Sequence, residues 1–466
     1  MSALWTATEA ALATAGSASA EWAASGVSID TRTLRAGDLF VALSGPNRDG
    51  HDFVLDAFAR GAAAALVARD IPPQHSPLLR VRDTFEALLA LAAAARERSR
   101  ARILAVTGSV GKTGTKEALA LLLSACGPTA ASEGSLNNHW GAPLSLARMP
   151  REARFGVFEL GMNHEGEIRR LSRLVRPHVA LITAVDAAHL GYFPSLEAIA
   201  DAKAEIFDGL EEGGSAILNR DNPFFERLQE SARAAGAREI IAFGADPRAQ
   251  VRLEGCVIGE RESAVDAALP GLRLRYRVPL PGRHWVMNSL AALAAAFAAG
   301  ADVRMAVEAL SRLEAPPGRG RRYALSWRGG ELSLIDESYN ASPAAMRAAL
   351  SVLGASSPAR GGRRVVVLGD MLELGEAAPR FHRALLQPIL ESGIDRVFLV
   401  GSAIAALDEV LPEEKRGGLW SSAEEAIPSL LSDLRAGDVV TVKASHGVHA
   451  DRIVEKLIEK GREGEQ

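Results

Sequence analysis

The run Thr107-Gly108-Ser109-Val110-Gly111-Lys112-Thr113 has the residue types and order needed to hold a polyphosphate. A strand is predicted over Ile103–Gly108 and a helix from the loop to about Cys126, the setting a phosphate loop requires. Glycines let backbone N–H groups turn toward phosphate oxygens, and the helix amino terminus adds a favourable dipole. Gly108, Ser109, Val110 and Gly111 would form the cradle. Lys112 would neutralise β- and γ-phosphate charge, and the Thr113 hydroxyl would ligate Mg2+. The pattern departs from the usual loop at Val106, where a glycine is standard. The alternative is an ordinary glycine-bearing turn, which would not require Gly-Lys-Thr at its end.

Three more residues could serve the same chemistry. Glu159 ends the predicted strand Phe155–Glu159 and would be a hard oxygen ligand for Mg2+. His189 follows the strand predicted over Val179–Val185. Lys203 falls on the apolar stripe Leu196, Ile199, Ile206, Phe207 and Leu210 of a helix that Ser195 can cap. An inward lysine is pushed toward the neutral amine, which can react with CO2 to give a carbamate. The competing reading is a lysine whose stem packs while its ammonium escapes to water. The pattern alone leaves both open.

The elements that would position these residues fall into three segments of the 466-residue chain. The boundaries are predicted at 1–100, 101–314 and 315–466. The first segment has a strand at Asp38 to Leu43, and a helix then a strand within His51 to Ala68. It closes on a helix from Thr84 to about Ala95 and an exposed arginine-rich stretch ending near Arg100. The second alternates strands and helices, with a further strand at Ala216–Leu218, which implies a mostly parallel sheet. The stretch Pro316-Pro317-Gly318-Arg319-Gly320 reads as a linker. The third segment has strands at Val365–Leu368, Arg396–Val400 and Val439–Val442, whose carboxyl ends are ligand positions in an open parallel sheet.

Composition excludes several classes. A net charge of −4 with few aromatics offers no footprint for nucleic acid or anionic lipid. Leu290 to Gly300 is too short to span a membrane and reads as a buried helix. Cys126 and Cys256 are read as small buried hydrophobes, and no disulfide framework is expected. The N-terminus lacks the pattern of a signal peptide, so a cytoplasmic protein is expected. Nothing demands more than a monomer.

Taken together, Thr107–Thr113, Glu159-Leu160-Gly161-Met162-Asn163, His189 and Asp201-Ala202-Lys203 resemble the Mur ligases, ATP-dependent amide-forming enzymes of peptidoglycan synthesis. The resemblance implies a small UDP-binding α/β domain, a central phosphate-loop domain and a C-terminal Rossmann-like α/β domain. Ser28, Asp30, Thr31 and Arg32 resemble the UDP-binding part. Asn137 and Asn138, with Gly141–Leu144, resemble the loop that meets the muramoyl substrate. Gly282-Arg283-His284 with Met287-Asn288 resembles the adenine-side motif, and Arg319 the linker arginine. Asp336-Glu337-Ser338-Tyr339-Asn340-Ala341 and Gly369-Asp370-Met371-Leu372-Glu373-Leu374-Gly375 resemble the member that adds D-alanyl-D-alanine. Asp336, Tyr339 and Asn288 would then contact ATP, and Asn340 the substrate.

The implied reaction phosphorylates the terminal carboxyl of a UDP-N-acetylmuramoyl tripeptide and joins it to D-alanyl-D-alanine. The implied cofactors are ATP, two Mg2+ ions and a CO2-derived carbamate on Lys203, with Thr113, Glu159, His189 and Lys203 as metal ligands. Lys112, Glu159, His189, Lys203 and Arg319 would carry the chemistry, and the third domain would close onto the ATP domain. Two positions depart from the family pattern: Trp285, where Asn is frequent, and Lys443-Ala444-Ser445-His446, where Lys-Gly-Ser-Arg is common. Arg452 is the candidate to compensate. A folylpolyglutamate synthase-like ligase would share the loop and lysine but lack the Ser28–Arg32 segment. A kinase, a motor-type ATPase or a non-catalytic nucleotide sensor would not need the His189/Lys203 pair.

Overall fold

The computed structural model describes residues 3–71 and 76–463. Its centre is a nine-stranded sheet. The strands Thr129–Ala131, Phe155–Glu159, Arg102–Thr107, Val179–Ile182, Ser215–Asn219, Glu239–Gly244 and Val251–Ile258 run parallel in that spatial order. Ser263–Leu269 and Leu272–Val278 add an antiparallel wing. Leu104, Val106, Val157, Val179 and Leu181 face one core with the helices Lys112–Ser124 and Arg283–Ala298. Ile103, Ala105, Phe158, Ala180 and Ile182 face a second core under Glu167–Val175, Leu196–Ala204 and Phe225–Ala234. Burial on both faces explains why these strands read as unbroken apolar runs.

The first sheet has five strands in the order Ser17–Ala18, Leu78–Arg80, Ala64–Val67, Asp38–Val41 and Gly26–Ser28. Its core continues into the central one, because Leu144 and Ala147 pack within it. Trp5 Nε1 donates to Ala147 O at 3.0 Å. The helix Thr84–Arg98 overruns its predicted end, and of the arginines expected to be exposed there Arg100 is exposed, Arg98 half-buried and Arg96 buried. Arg96 is buried and donates to Val175 O at 2.8 Å, Arg176 O at 2.9 Å and Glu211 at 3.1 Å. Those carbonyls are orphan acceptors at the end of Glu167–Val175, so a guanidinium can be buried there without losing its partners.

The third sheet has six strands, in the order Arg321–Trp327, Gly330–Glu337, Val439–Lys443, Arg364–Gly369, Arg396–Val400 and Arg416–Trp420. All neighbours are parallel except the first pair, a hairpin. The linker is pinned to this sheet: Gly318 N donates to Asp336 Oδ2 at 3.0 Å and Tyr339 N to Gly318 O at 3.1 Å. Of the stretch Leu290–Gly300, expected as a buried helix, Leu290–Ala296 is buried within the helix Arg283–Ala298, while Gly300 lies beyond its end and is exposed. Cys126 and Cys256 are free but only half-buried at the rim of the core, not inside it.

Candidate active site

The phosphate loop sits between Arg102–Thr107 and Lys112–Ser124, as the sequence predicts. Gly108 and Gly111 are required there. Gly108 has φ +151°, and a Cβ on it would lie 1.9 Å from Thr183 Oγ1. Gly111 has φ +83°, and its Cβ would lie 2.5 Å from Asn288 Oδ1. The loop is tied to the segment after Val179–Ile182. Ser109 Oγ donates to Asp186 O at 3.0 Å and Ser109 N to Ala184 O at 2.8 Å. Thr183 Oγ1 donates to Val110 O at 2.6 Å. Lys112 Nζ curls back to Gly108 O at 2.8 Å. Burial pulls this ammonium below its ordinary pKa; Glu159 opposes the shift and Arg319 adds to it.

Glu159 is completely buried at the tip of its strand. Its Oε2 accepts from Thr113 Oγ1 at 2.9 Å and its Oε1 from Asn137 Nδ2 at 2.6 Å. Ser132 Oγ accepts from its backbone N at 3.3 Å. The structure thus brings Thr113 and Glu159 together and makes Asn137 the partner of Glu159. Asn138 Oδ1 accepts from Trp140 N and Gly141 N at the start of the Gly141–Ala147 helix.

Lys203 lies on Leu196–Ala204, whose first turn is capped by Ser195. It is 1% exposed, so its ammonium does not escape to water, and the snorkelling alternative falls. Burial, then the charge of Lys112, hold its pKa well below the ordinary lysine value, with no carboxylate in opposition. His189 stands on a left-handed residue at φ +65°. Its Nδ1 is 2.6 Å from Glu373 Oε2, contributed by the third domain. That hydrogen bond holds the Glu373 carboxyl below its usual range.

Among the described residues, no three His, Cys, Asp or Glu side chains converge into a ready metal cage. The donor set nevertheless suits Mg2+, which uses one or two carboxylates and takes its remaining oxygens from phosphates and water. Thr113 and Glu159 supply a hydroxyl and a carboxylate in contact. Lys203 supplies a buried amine without an anionic partner, the environment a carbamate needs.

The linker and third domain complete the site. Arg319 Nη2 donates to Ser135 Oγ at 3.2 Å, and its guanidinium lies 4.2 Å from the Tyr339 ring centre. His446 stacks on the same ring at 5.7 Å. Asp336 is occupied locally: Gly318 N binds one oxygen, and Ser338 N and Oγ the other. Asn340 O accepts from Lys443 Nζ at 3.0 Å. Trp285 is buried and packs on the first turn of the phosphate-loop helix, 2.8 Å from where a Gly114 Cβ would lie, with Asn288 beside it. Arg452 pairs with Glu424 at the surface.

In the first domain, Ser28–Arg32 forms a tight turn after Gly26–Ser28. Ser28 Oγ bonds to Asp30 O, Asp30 forks to Arg32, Thr31 is buried, and the Arg32 guanidinium is exposed. Sequence reasoning gave no role to Thr183, Ser132 or Ser135, which lie in loops with no motif. Glu373 was legible only as part of its motif.

This geometry has matches along the whole chain. The Mur ligase middle domain description matches residues 106–296, the Mur ligase family catalytic domain 23–97, and the Mur ligase glutamate ligase domain 321–446. The UDP-N-acetylmuramoyl-tripeptide--D-alanyl-D-alanine ligase of Escherichia coli is 38% identical over 438 residues, 93% of this chain and 94% of that one. The chain belongs to the Mur ligase family. The Rickettsia prowazekii enzyme of the same name is 33% identical over 430 residues, 92% of this chain and 94% of that one. Among solved structures, MurF from Acinetobacter baumannii superposes with a TM-score of 0.83 at 32% identity, covering 98% of this Mur ligase and 99% of that chain. MurF from Thermotoga maritima in complex with ADP gives 0.73 at 26% identity, covering 93% and 98%. The three-domain α/β architecture and ATP-dependent amide ligation follow from this membership.

Proposed function

We propose that this Mur ligase joins D-alanyl-D-alanine to a UDP-N-acetylmuramoyl tripeptide at the expense of ATP, giving the pentapeptide precursor, ADP and phosphate. The observation that carries this reading is likeness to enzymes of that name over nine-tenths of both chains. Residues 1–100 would hold the UDP-muramoyl end, with Ser28, Asp30, Thr31 and Arg32 at the turn. Residues 101–314 would hold ATP, and 315–466 the dipeptide.

The tripeptide carboxylate attacks the γ-phosphorus of ATP and ADP leaves. The dipeptide amine attacks the resulting acyl phosphate, loses a proton and expels phosphate. Negative charge gathers where carboxylate meets phosphate, so positive charge must be in place beforehand. Lys112 lies on the loop, and Arg319 is close enough to disturb its pKa. Thr113 and Glu159 would hold one Mg2+; Glu159, His189 and carbamylated Lys203 would hold a second. Bound there, Mg2+ neutralises phosphate charge. To form the carbamate, the Lys203 Nζ lone pair attacks the carbon of CO2 and the nitrogen releases one proton. Asn288 and Trp285 border the start of the phosphate-loop helix, on the adenine side by the family resemblance.

The deciding test is ADP release with UDP-muramoyl tripeptide and one amino substrate at a time. Release is expected with D-alanyl-D-alanine alone. Release with L-Ala, D-Glu, meso-diaminopimelate or L-Lys on a shorter precursor would reassign the step. No dependence on any muramoyl substrate would sink it.

A further inference from the structure

We infer that Glu373 is a positioning residue that orients the imidazole of His189, so that docking of the third domain completes the candidate metal site of the central domain. The two residues are 184 apart in sequence, and their side chains meet at 2.6 Å. A carboxylate only accepts hydrogen bonds, so Nδ1 of His189 donates. In the neutral ring this leaves the lone pair on Nε2, free to bind a cation. A carboxylate fixing the far nitrogen is how ligand histidines are held in tautomer and angle.

The backbone at the contact is specialised on both sides. His189 and Glu373 both occupy the left-handed region, at φ +65° and +64°. Gly191 N donates to Glu373 O at 2.6 Å, and a Cβ on Gly375 would come within 3.3 Å of Gly191 Cα. Non-glycine residues at positive φ are uncommon, and their meeting across a domain boundary marks a built contact. Beside it, Arg347 of the third domain lies 4.0 Å from Asp186, whose backbone holds Ser109 of the phosphate loop. The third domain therefore touches the loop that carries the histidine and the segment that steadies the phosphate cradle.

The functional meaning rests on the reaction proposed above. If the domain delivering the amine also orients His189, the carboxylate is activated only when its acceptor is at hand. An acyl phosphate made without the third domain docked would be open to water.

The test uses full-length protein with ADP and Mn2+ as the probe, with binding read by electron paramagnetic resonance. E373A is expected to weaken one Mn2+ site by about 10- to 100-fold, the range typical of lost outer-shell partners. E373D should recover part of the loss. H189A should weaken the same site, and E373A should add nothing in the H189A background. ADP affinity without metal should stay at the parent value in every variant. If E373A is poorly folded, E373Q keeps the shape while removing the charge, and a smaller loss is expected. An E373A isotherm matching the parent would overturn the inference. So would equal losses from E373A with and without His189, or an H189A isotherm identical to the parent. Amino-substrate dependence of the parent enzyme is measured separately, so failure of the proposed reaction would be distinguishable from failure of this contact.

Discussion

Substituting Gly108 by alanine tests whether the phosphate loop is held open by the segment behind it. The added Cβ would lie 1.9 Å from Thr183 Oγ1, 3.1 Å from Thr183 Cβ and 3.2 Å from Ala184 N. The hydroxyl must retreat by more than an ångström, which breaks its bond to Val110 O. Leaving that carbonyl unsatisfied costs about 1–3 kcal/mol. A residue with a side chain at φ +151° adds about 1–3 kcal/mol of backbone strain. The total is about 2–6 kcal/mol, divided between stability and nucleotide binding. The assays are ADP titration by calorimetry and urea unfolding of the parent, G108A, T183A and the double variant. T183A removes the clashing oxygen, so G108A should cost about 1–3 kcal/mol less in that background. Effects that add within about 0.5 kcal/mol would refute the argument, because the two residues would then not be in steric conflict.

Three further outcomes are expected. K203M should lose ligase activity while keeping its urea midpoint or raising it, because a buried amine without an anionic partner is replaced by an apolar chain; a clear fall in midpoint would show that the lysine has an unseen structural partner. R319K should lower kcat/KM about tenfold or more, because lysine cannot reproduce the guanidinium contact over Tyr339 and the bond to Ser135 together; unchanged kinetics would remove Arg319 from the site. His178 has its pKa pushed down to about 4, chiefly by burial and then by Arg96 and Arg102. Between pH 6.5 and 4 the unfolded chain takes up a proton there that the folded chain refuses, so stability must fall as pH falls through this window. In H178N, whose amide can still accept from Ile103 N, the fall in urea midpoint should be shallower; an identical slope would exclude the histidine as its source.

The sequence made the phosphate loop legible because its chemistry is local: a strand, two glycines, a lysine and a hydroxyl lie within one loop. Lys203 was legible for the opposite reason, since a lysine on an apolar helix face violates the expected pattern. The central strands at Ile103, Phe155, Val179 and Ala216 were legible through their apolar runs, whereas Glu239–Gly244 was not read from the sequence. The antiparallel wing Ser263–Val278 was missed although its alternation, with arginines on the open face, is the pattern of a half-buried strand. The burial of Arg96 was not legible because carbonyls 79 and 80 residues away supply its partners. The His189–Glu373 contact depends on how two domains meet, and no spacing within either segment encodes it.

Arg96 and Trp5 have a consequence for substrate length. They fasten the first domain to the central one through buried hydrogen bonds and a shared core. If the first domain anchors the UDP-muramoyl end, as proposed above, that joint sets the span from the anchor to the phosphate loop, and the span works as a ruler. Each residue of peptide stem adds at most about 3.6 Å of reach. A stem one residue too short leaves its carboxyl outside attacking distance, and one residue too long must buckle. On the proposed reaction, counting residues in the growing peptide would then be a property of the joint between two domains rather than of any pocket that reads side chains.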